Sequence, residues 1–345
     1  MPLSALARRT RGAAFLLCAV SAIACSDDDP TGPVGGDEIR TLTVDASAGW
    51  AFVDLENNAV VSVDEPTSSD AWDIAFNATS VMLNGGAAGP GNVSAACDCG
   101  SFTLEDVEEL TPESELPRFE AATATTIPAA SEFVMDELQP AIAEWYSGAP
   151  GAAATANTAR TFILRRSEPT QYAKVRVTGI TGATADSPGE VMLDYAVQPA
   201  AGGEFGSAQT RTVTVGAATE YVDIFGGGGG DAASWDLSFD GWTVRVNGGV
   251  SGSGVAAVAL DEPFADVNTT TAATIPAGIY AGDQYAGIFA EHPWHVYSGP
   301  PLHQVYPTFD VYYVKRDDVV YKLQVTSYYG AAGQARHITF RSARL

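Results

Sequence analysis

Trp72-Asp73-Ile74-Ala75-Phe76 leads to Asn84-Gly85-Gly86 and then to Gly89-Pro90-Gly91; Trp235-Asp236-Leu237-Ser238-Phe239 leads to Asn247-Gly248-Gly249 and then to Gly252-Ser253-Gly254. The internal spacing is identical, and no gap is needed to lay one stretch on the other. Self-similarity at this range sets the architecture before any local propensity does. Working outward, Phe52-Val53-Asp54-Leu55 answers Tyr221-Val222-Asp223-Ile224. Downstream, Thr126-Ile127-Pro128-Ala129 answers Thr274-Ile275-Pro276-Ala277, and Tyr146-Ser147-Gly148 answers Tyr297-Ser298-Gly299. The series closes with residues 172–177 against 320–325. So many matches in one order predict a tandem duplication. The first copy spans 40–198, a Gly/Ala-rich linker 199–209, and the second copy 210–345, each expected to fold separately.

Both copies read as all-β with a minor helix. Trp72, Ile74 and Phe76 alternate with Asp73 and Ala75, the period of a half-buried strand. Val244 and Val246 alternate likewise before Asn247-Gly248, a pair that tolerates the positive φ of tight turns. The apolar runs 162–164 and 311–314, each followed by charged residues, predict core strands. Residues 172–177 predict the next strand of a hairpin, with Lys174 and Arg176 pointing outward. Residues 130–146 allow a helix interrupted at Pro140. The acidic stretch 103–115 reads as a solvated face or loop. The expected fold is two tandem antiparallel β domains.

The 345 residues are 46% hydrophobic and 17% charged, enough apolar material for real cores. Lys plus Arg number 18 against 42 Asp plus Glu, a formal charge of −24. Such a field repels phosphate backbones and anionic bilayers, which argues against a nucleic-acid partner and against membrane contact through the folded surface.

Arg8-Arg9-Thr10-Arg11, the apolar run 12–24 and Ala22-Ile23-Ala24-Cys25 make a basic region, a short hydrophobic region and a small-residue cleavage site. A bilayer span needs about 20 apolar residues, more than this run supplies. Residues 1–24 therefore read as a lipoprotein signal peptide, Cys25 as the lipidated residue and 25–39 as its polar tether. Membrane contact is then through the N-terminal lipid alone, in the cell envelope at the outer membrane or cell surface. Ser26 after Cys25 resembles an outer-membrane sorting pattern. Cys97 and Cys99 remain; two cysteines one residue apart in an extended strand face opposite ways, so loop cysteines without a function are expected, with a strained redox or metal pair as the alternative.

Trp-Asp-aliphatic-x-Phe, then Asn-Gly-Gly, then Gly-x-Gly, and a closing aliphatic run before a Lys-bearing strand is similar to the HmuY-like proteins. Trp72, Asp73, Phe76, Asn84, Gly85, Gly86, Gly89 and Gly91 carry the resemblance in the first copy. Trp235, Asp236, Phe239, Asn247, Gly248, Gly249, Ser251, Gly252 and Gly254 carry it in the second. The resemblance implies an all-β bacterial surface lipoprotein that binds haem or a related porphyrin, with an outer-membrane receptor or a host haem protein as conceivable partners. The motif residues themselves read as structural: aromatic anchors, an Asp accepting turn amides, and glycines permitting tight paths. Axial ligands must lie elsewhere.

All four histidines, His292, His295, His303 and His337, fall in the second copy. Ala143-Glu144-Trp145-Tyr146 is answered by 290–297, where two insertions bring His292 and His295. Imidazoles in an aromatic loop suit haem iron, and His295 with His303 is the expected axial pair, Trp294, Tyr297 and Tyr306 supplying stacking or apolar contact. His292 is the alternate, restricted by Pro293. His337 reads as part of a closing strand. Met82 and Met135 are soft ligands held in reserve, though methionine is usually core filler. Two other readings stay open: a His292/His295/His303 zinc site, and an adhesion or assembly module that uses the β fold to present loops. Catalysis finds no support, since no nucleophile elbow, His-Glu-x-x-His or phosphate loop occurs. No enzyme is expected.

Overall fold

The computed structural model describes residues 38–345; the signal segment and Cys25 lie outside the described residues. The architecture is mostly antiparallel β with a few short helices, Leu104–Val107, Leu116–Ala121, Thr269–Thr274 and Ile288–Glu291. None of the described helices is long and apolar enough to cross a membrane.

Two five-stranded sheets dominate. In spatial order the first runs Arg40–Asp45, Ala335–Arg344, Val319–Tyr329, Val311–Arg316, Val93–Asp98. The second runs Gln209–Val215, Gly189–Val197, Gln171–Thr181, Thr161–Arg166, Val255–Leu260. The two orders match strand for strand, and so do the registers: Val93 faces Arg316 as Val255 faces Arg166. A bulge interrupts the long central strand at the equivalent place in each, after Val177 and after Val325. Smaller sheets repeat the match, with Phe52 opposite Ala75 opposite Met82 in one and Tyr221 opposite Ser238 opposite Arg245 in the other.

Each sheet, however, takes strands from both halves of the chain. The start of the chain pairs with its end, and the middle pairs with itself. The cores follow. One gathers Val44, Ile74, Phe76 and Val93 with Phe289, Tyr312, Leu323 and Phe340; the other lies wholly between Ile142 and Ala257. The expectation that 40–198 and 210–345 fold as separate domains is therefore corrected. So is the linker: residues 199–209 form the turn of a hairpin in which Tyr195 faces Gln209, and Gly206 N–H donates to the Val197 carbonyl. The physical reason is that Gly/Ala-rich sequence suits a tight return as well as it suits a tether.

The two halves cross at a short antiparallel ribbon, Glu137–Gln139 against Gln284–Ala286, with Leu138 opposite Tyr285. Beside it lie two buried aspartates at equivalent positions. Asp136 accepts the Leu83 N–H at 2.8 Å. Asp283 accepts those of Ala141 at 2.9 Å and Val246 at 3.2 Å. These contacts explain the Asn-Gly-Gly motif. A Cβ on Gly86 or Gly249, both at left-handed φ, would stand 2.2 or 2.0 Å from the carbonyl of Asp136 or Asp283. Asn84 and Asn247 tie the same loops down by donating to the Trp72 and Trp235 carbonyls at 2.7 and 2.9 Å.

Cross-half polar contacts fasten each body. Asp73 accepts from Leu55 N–H at 2.7 Å and from Arg316 at 2.9 Å; Asp236 accepts from Phe225 N–H at 2.8 Å and from Arg166 at 3.2 Å. Lys174 is buried rather than outward: its Nζ donates to the Phe264 and Val267 carbonyls at 2.6 and 2.7 Å. Lys322 does the same to Phe119 and Ala122 at 3.1 and 2.8 Å. The flanking segments lack sheet partners for those carbonyls, and a long ammonium stem reaches them from the sheet face. Arg176 stays half-buried, paired with Asp194 at 2.8 Å.

Two further expectations are corrected. Residues 130–146 hold a 3-10 turn and two short strands, because the crossing ribbon draws the chain out straight. Cys97 and Cys99 are joined as a disulfide with a Cα separation of 5.2 Å. Residues two apart in a strand stand about 6.6 Å apart. The strand ends at Asp98, and its departure brings the sulfurs together.

The cross-pairing predicts which pieces of the chain stand alone. A fragment spanning 139–283 should unfold cooperatively when heated, whereas 207–345, which lacks its pairing strands, should not. Circular dichroism melts compare them; a cooperative 207–345 would overturn the exchange. A second expectation concerns Asp136, whose carboxyl burial pushes up to about 7. The unfolded chain releases that proton near 3.8, so stability falls as pH rises from there through about 7. Asp136→Asn has no proton to lose and should out-stabilise the parent at pH 8 by up to roughly 4 kcal/mol, with the gap closing at pH 4. Parallel pH profiles from denaturant melts would refute this.

Candidate functional site

The histidine-bearing segment forms a hairpin, His295–Tyr297 against Val305–Pro307, with His295 opposite Pro307 and Tyr297 opposite Val305. Its tip is closed by Ser298 N–H to Gln304 O at 2.9 Å and His303 N–H to Gly299 O at 2.8 Å. His303 sits at φ +52, a left-handed conformation uncommon for a side-chain-bearing residue. Such outliers persist where surrounding structure over-determines them. Underneath, the Val305 N–H donates to the Tyr329 hydroxyl at 3.2 Å, and Tyr312 donates to the His292 carbonyl at 2.7 Å. The first half has the same hairpin in shorter form, Tyr146–Ser147 against Thr155–Ala156, with no histidine in it.

The five expected site residues divide. His295 and Tyr297, two apart on a strand, share a face. The Tyr297 hydroxyl is hydrogen-bonded to Nδ1 of His303, which joins the tip of the hairpin to its first strand. Tyr306 is half-buried and donates to Gln304. Trp294 does not supply an open stacking face: it is 1% exposed, inside the first core, with Nε1 donating to the Thr79 carbonyl at 2.9 Å. Its counterpart Trp145 is buried too, and in both cases the Trp carbonyl accepts a backbone N–H, from Thr308 or Asn157.

His295 is half-buried against Trp294, ring centroids 4.9 Å apart, and its Nδ1 is buried with no hydrogen-bond partner. Desolvation holds its pKa below the ordinary 6.5, which keeps the ring neutral and its lone pair available at neutral pH. In His303, Nδ1 is hydrogen-bonded to the Tyr297 hydroxyl, which orients the ring and leaves Nε2 as the nitrogen outside that bond. The donor set therefore fits a haem iron in chemistry. It does not fit zinc. His292 is exposed at the end of the helix Ile288–Glu291, and among the described residues no three His, Cys, Asp or Glu side chains are placed to hold a metal ion. The three-imidazole reading is corrected: His292 caps the helix Ile288–Glu291, outside the hairpin, and the three rings form no metal-holding group. His337 lies in the strand Ala335–Arg344, 3.6 Å from Asp45. Met82 is core, and Met135 stands at the surface beside Asp136.

Sequence reasoning missed the half-buried Arg316 and Arg166 partners of the two buried motif aspartates. It also missed an open cavity near the crossing ribbon, lined by Tyr221, Trp235 and Arg245. A position-by-position comparison of the two halves carries the signal for the second.

Residues 46–195 match the HmuY family of proteins. No curated protein matches the chain in sequence. Among solved structures, it is similar to a candidate HmuY-like haem-binding protein of Bacteroides vulgatus (13% identity over 88% of this chain and 90% of that one, TM-score 0.35). It is similar also to the apo HmuY analogue of Tannerella forsythia (10% identity, 90% and 98%, TM-score 0.33). A candidate lipoprotein of Bacteroides fragilis is a third (13% identity, 88% and 89%, TM-score 0.33). At these scores the fold rests on its own strand pairing.

The buried setting of His295 has a direct readout. Its ring-proton resonances should titrate with a midpoint below 6.5, because the folded state disfavours the imidazolium. Stability contributed by the neutral ring is lost as pH falls from about 6.5 toward that lower midpoint. A midpoint at or above 6.5 in the folded chain would contradict the burial argument.

Proposed function

We propose that the chain is an envelope lipoprotein, anchored through Cys25, that binds haem or a related porphyrin on the His295–Pro307 hairpin and is not an enzyme. One observation carries the reading. One hairpin carries two imidazoles, His295 on its first strand with a buried unpartnered nitrogen and His303 at its tip, oriented by Tyr297. The HmuY match over 46–195 supports the ligand class. His303 and His295 would hold the iron, with Tyr297 beside them, while the register places Tyr306 on the other face of the hairpin, opposite Val296. Haem, when bound, supplies an iron centre with strong Soret absorption. The chain's own part is to offer the two imidazoles and an apolar floor made by Trp294 and Val305.

We further infer that the two halves are copies of one ancestral unit whose strands have exchanged. The matched sheet orders, registers, buried lysines and Asp–Arg pairs support that history. The histidines are then an addition to the second copy's hairpin, and an outer-membrane receptor or a host haem protein would be the partner in transfer.

Titration of haemin into the purified chain tests the function. A saturable Soret shift at one equivalent is expected. His303→Ala and His295→Ala should each weaken binding at least tenfold and move the spectrum from low-spin toward high-spin. His292→Ala and His337→Ala should match the parent. No shift at micromolar protein would refute haem binding and favour the adhesion or assembly reading. Loss confined to His292→Ala would refute the axial pair alone.

A further inference from the structure

Phe52, Trp72, Ala75, Met82 and Ala88 form a closed apolar cluster in the first half, each 8% exposed or less. The matching positions in the second half are Tyr221, Trp235, Ser238, Arg245 and Ser251. The pairing registers establish this equivalence independently of any alignment: Phe52–Ala75–Met82 and Tyr221–Ser238–Arg245 are the same cross-strand row. The aromatic pair keeps its geometry, with Phe52–Trp72 centroids 5.1 Å apart at 70° and Tyr221–Trp235 centroids 5.7 Å apart at 59°. Around it, every other apolar residue has gained a hydroxyl or a charge. The five second-half residues no longer close on one another. They line a cavity of about 430 Å³, completed by Tyr285 and Leu138 of the crossing ribbon.

A core cluster that lost its apolar groups without gaining a ligand would leave a polar hollow with donors unmet, at a cost in stability. Arg245 has a buried Nε with no hydrogen-bond partner, while its side chain is 40% exposed and its Nη2 is paired with the exposed Asp240 at 3.5 Å. The other carboxylate near it, Asp283, is engaged by the Ala141 and Val246 amides and the Ser251 hydroxyl. A guanidinium offers five donors in a planar fork that suits a carboxylate. Trp235, Tyr221 and Tyr285 offer ring faces, and Ser238 and Thr219 offer hydroxyls. The volume falls in the range of small-molecule sites.

We propose that this cavity binds a small organic acid built on a ring, its carboxylate on Arg245 and its ring against the Tyr221–Trp235 pair. The site is distinct from the histidine hairpin, and haem plays no part in it. Two sources of that chemistry are a sugar acid and an aromatic acid. Calorimetry and ligand-observed NMR on the full chain would use D-glucuronate and benzoate as probes, with D-glucose and benzyl alcohol as their neutral counterparts. At least one acid should bind at a single site, at least tenfold more tightly than its neutral counterpart. Binding of glucuronate alone assigns a sugar acid; binding of benzoate alone assigns an aromatic acid. Arg245→Met restores the first half's residue at a place where methionine already packs, so the variant should fold and lose acid binding tenfold or more. Arg245→Gln, which keeps polarity without charge, should lose it as well. Failure of both acids to bind at millimolar concentration overturns the proposal. So does undiminished binding by either variant with an unchanged circular dichroism spectrum.

Discussion

The pairing of Val93–Asp98 with Val311–Arg316, and of Val255–Leu260 with Thr161–Arg166, decides everything else in this molecule. Each edge strand has two partners of compatible register available, one in its own half and one in the other. The connection 199–209 explains which is taken. It is short enough to return Gly189–Val197 directly onto Gln209–Val215, so the last strand of the first half and the first strand of the second pair as a hairpin. Local closure costs less chain entropy than any distant alternative. Once that hairpin is made, Arg40–Asp45 is left to Ala335–Arg344, and the outer body must be assembled from the two ends of the chain. Such long-range closure implies slow folding of the outer body relative to the middle one.

Polar groups then act as locks on that choice. Asp73 and Asp236 are buried carboxylates satisfied by one backbone amide and one arginine from the other half of the chain. Removing either arginine would leave a buried charge without its ion-pair partner, the costly case for interior ion pairs. Lys174 and Lys322 fasten loop carbonyls across the same boundary, with their ammonium groups over Phe264 and Phe119 at 4.4 and 4.6 Å. The buried aspartates at the crossing ribbon hold the Gly-Gly turns of both halves at once.

Near-symmetry lets one half serve as a control for the other. The hairpin that carries His295 and His303 exists in the first half without histidine, and the cavity around Arg245 exists there as a sealed apolar cluster. In both cases the scaffold is unchanged while the side chains differ. Both proposed sites thus lie in departures of one half from the other, whereas the shared Trp, Asp, Asn and Gly residues build the frame.

The sequence by itself determined the β class, the internal match and the core strands, because period-2 alternation and the Trp-Asp and Asn-Gly-Gly motifs are local properties of the chain. It also placed His292, His295 and His303 in one short segment and His337 in the closing strand. Strand partners were beyond it: Thr161–Arg166 and Val311–Arg316 carry nearly the same pattern, so either could accept Val93–Asp98, and only the full arrangement of turns selects between them. The outward reading of Lys174 failed because alternation ranks faces by polarity and knows nothing of carbonyls waiting on the covered face. Trp294 was read as a ligand platform because its neighbours are histidines, yet its indole lies under the hairpin. Whether Tyr221, Ser238 and Arg245 meet around a cavity or lie scattered on a surface depends on cross-strand register. Register is set by pairing between distant segments, and that was decided only in the tertiary structure.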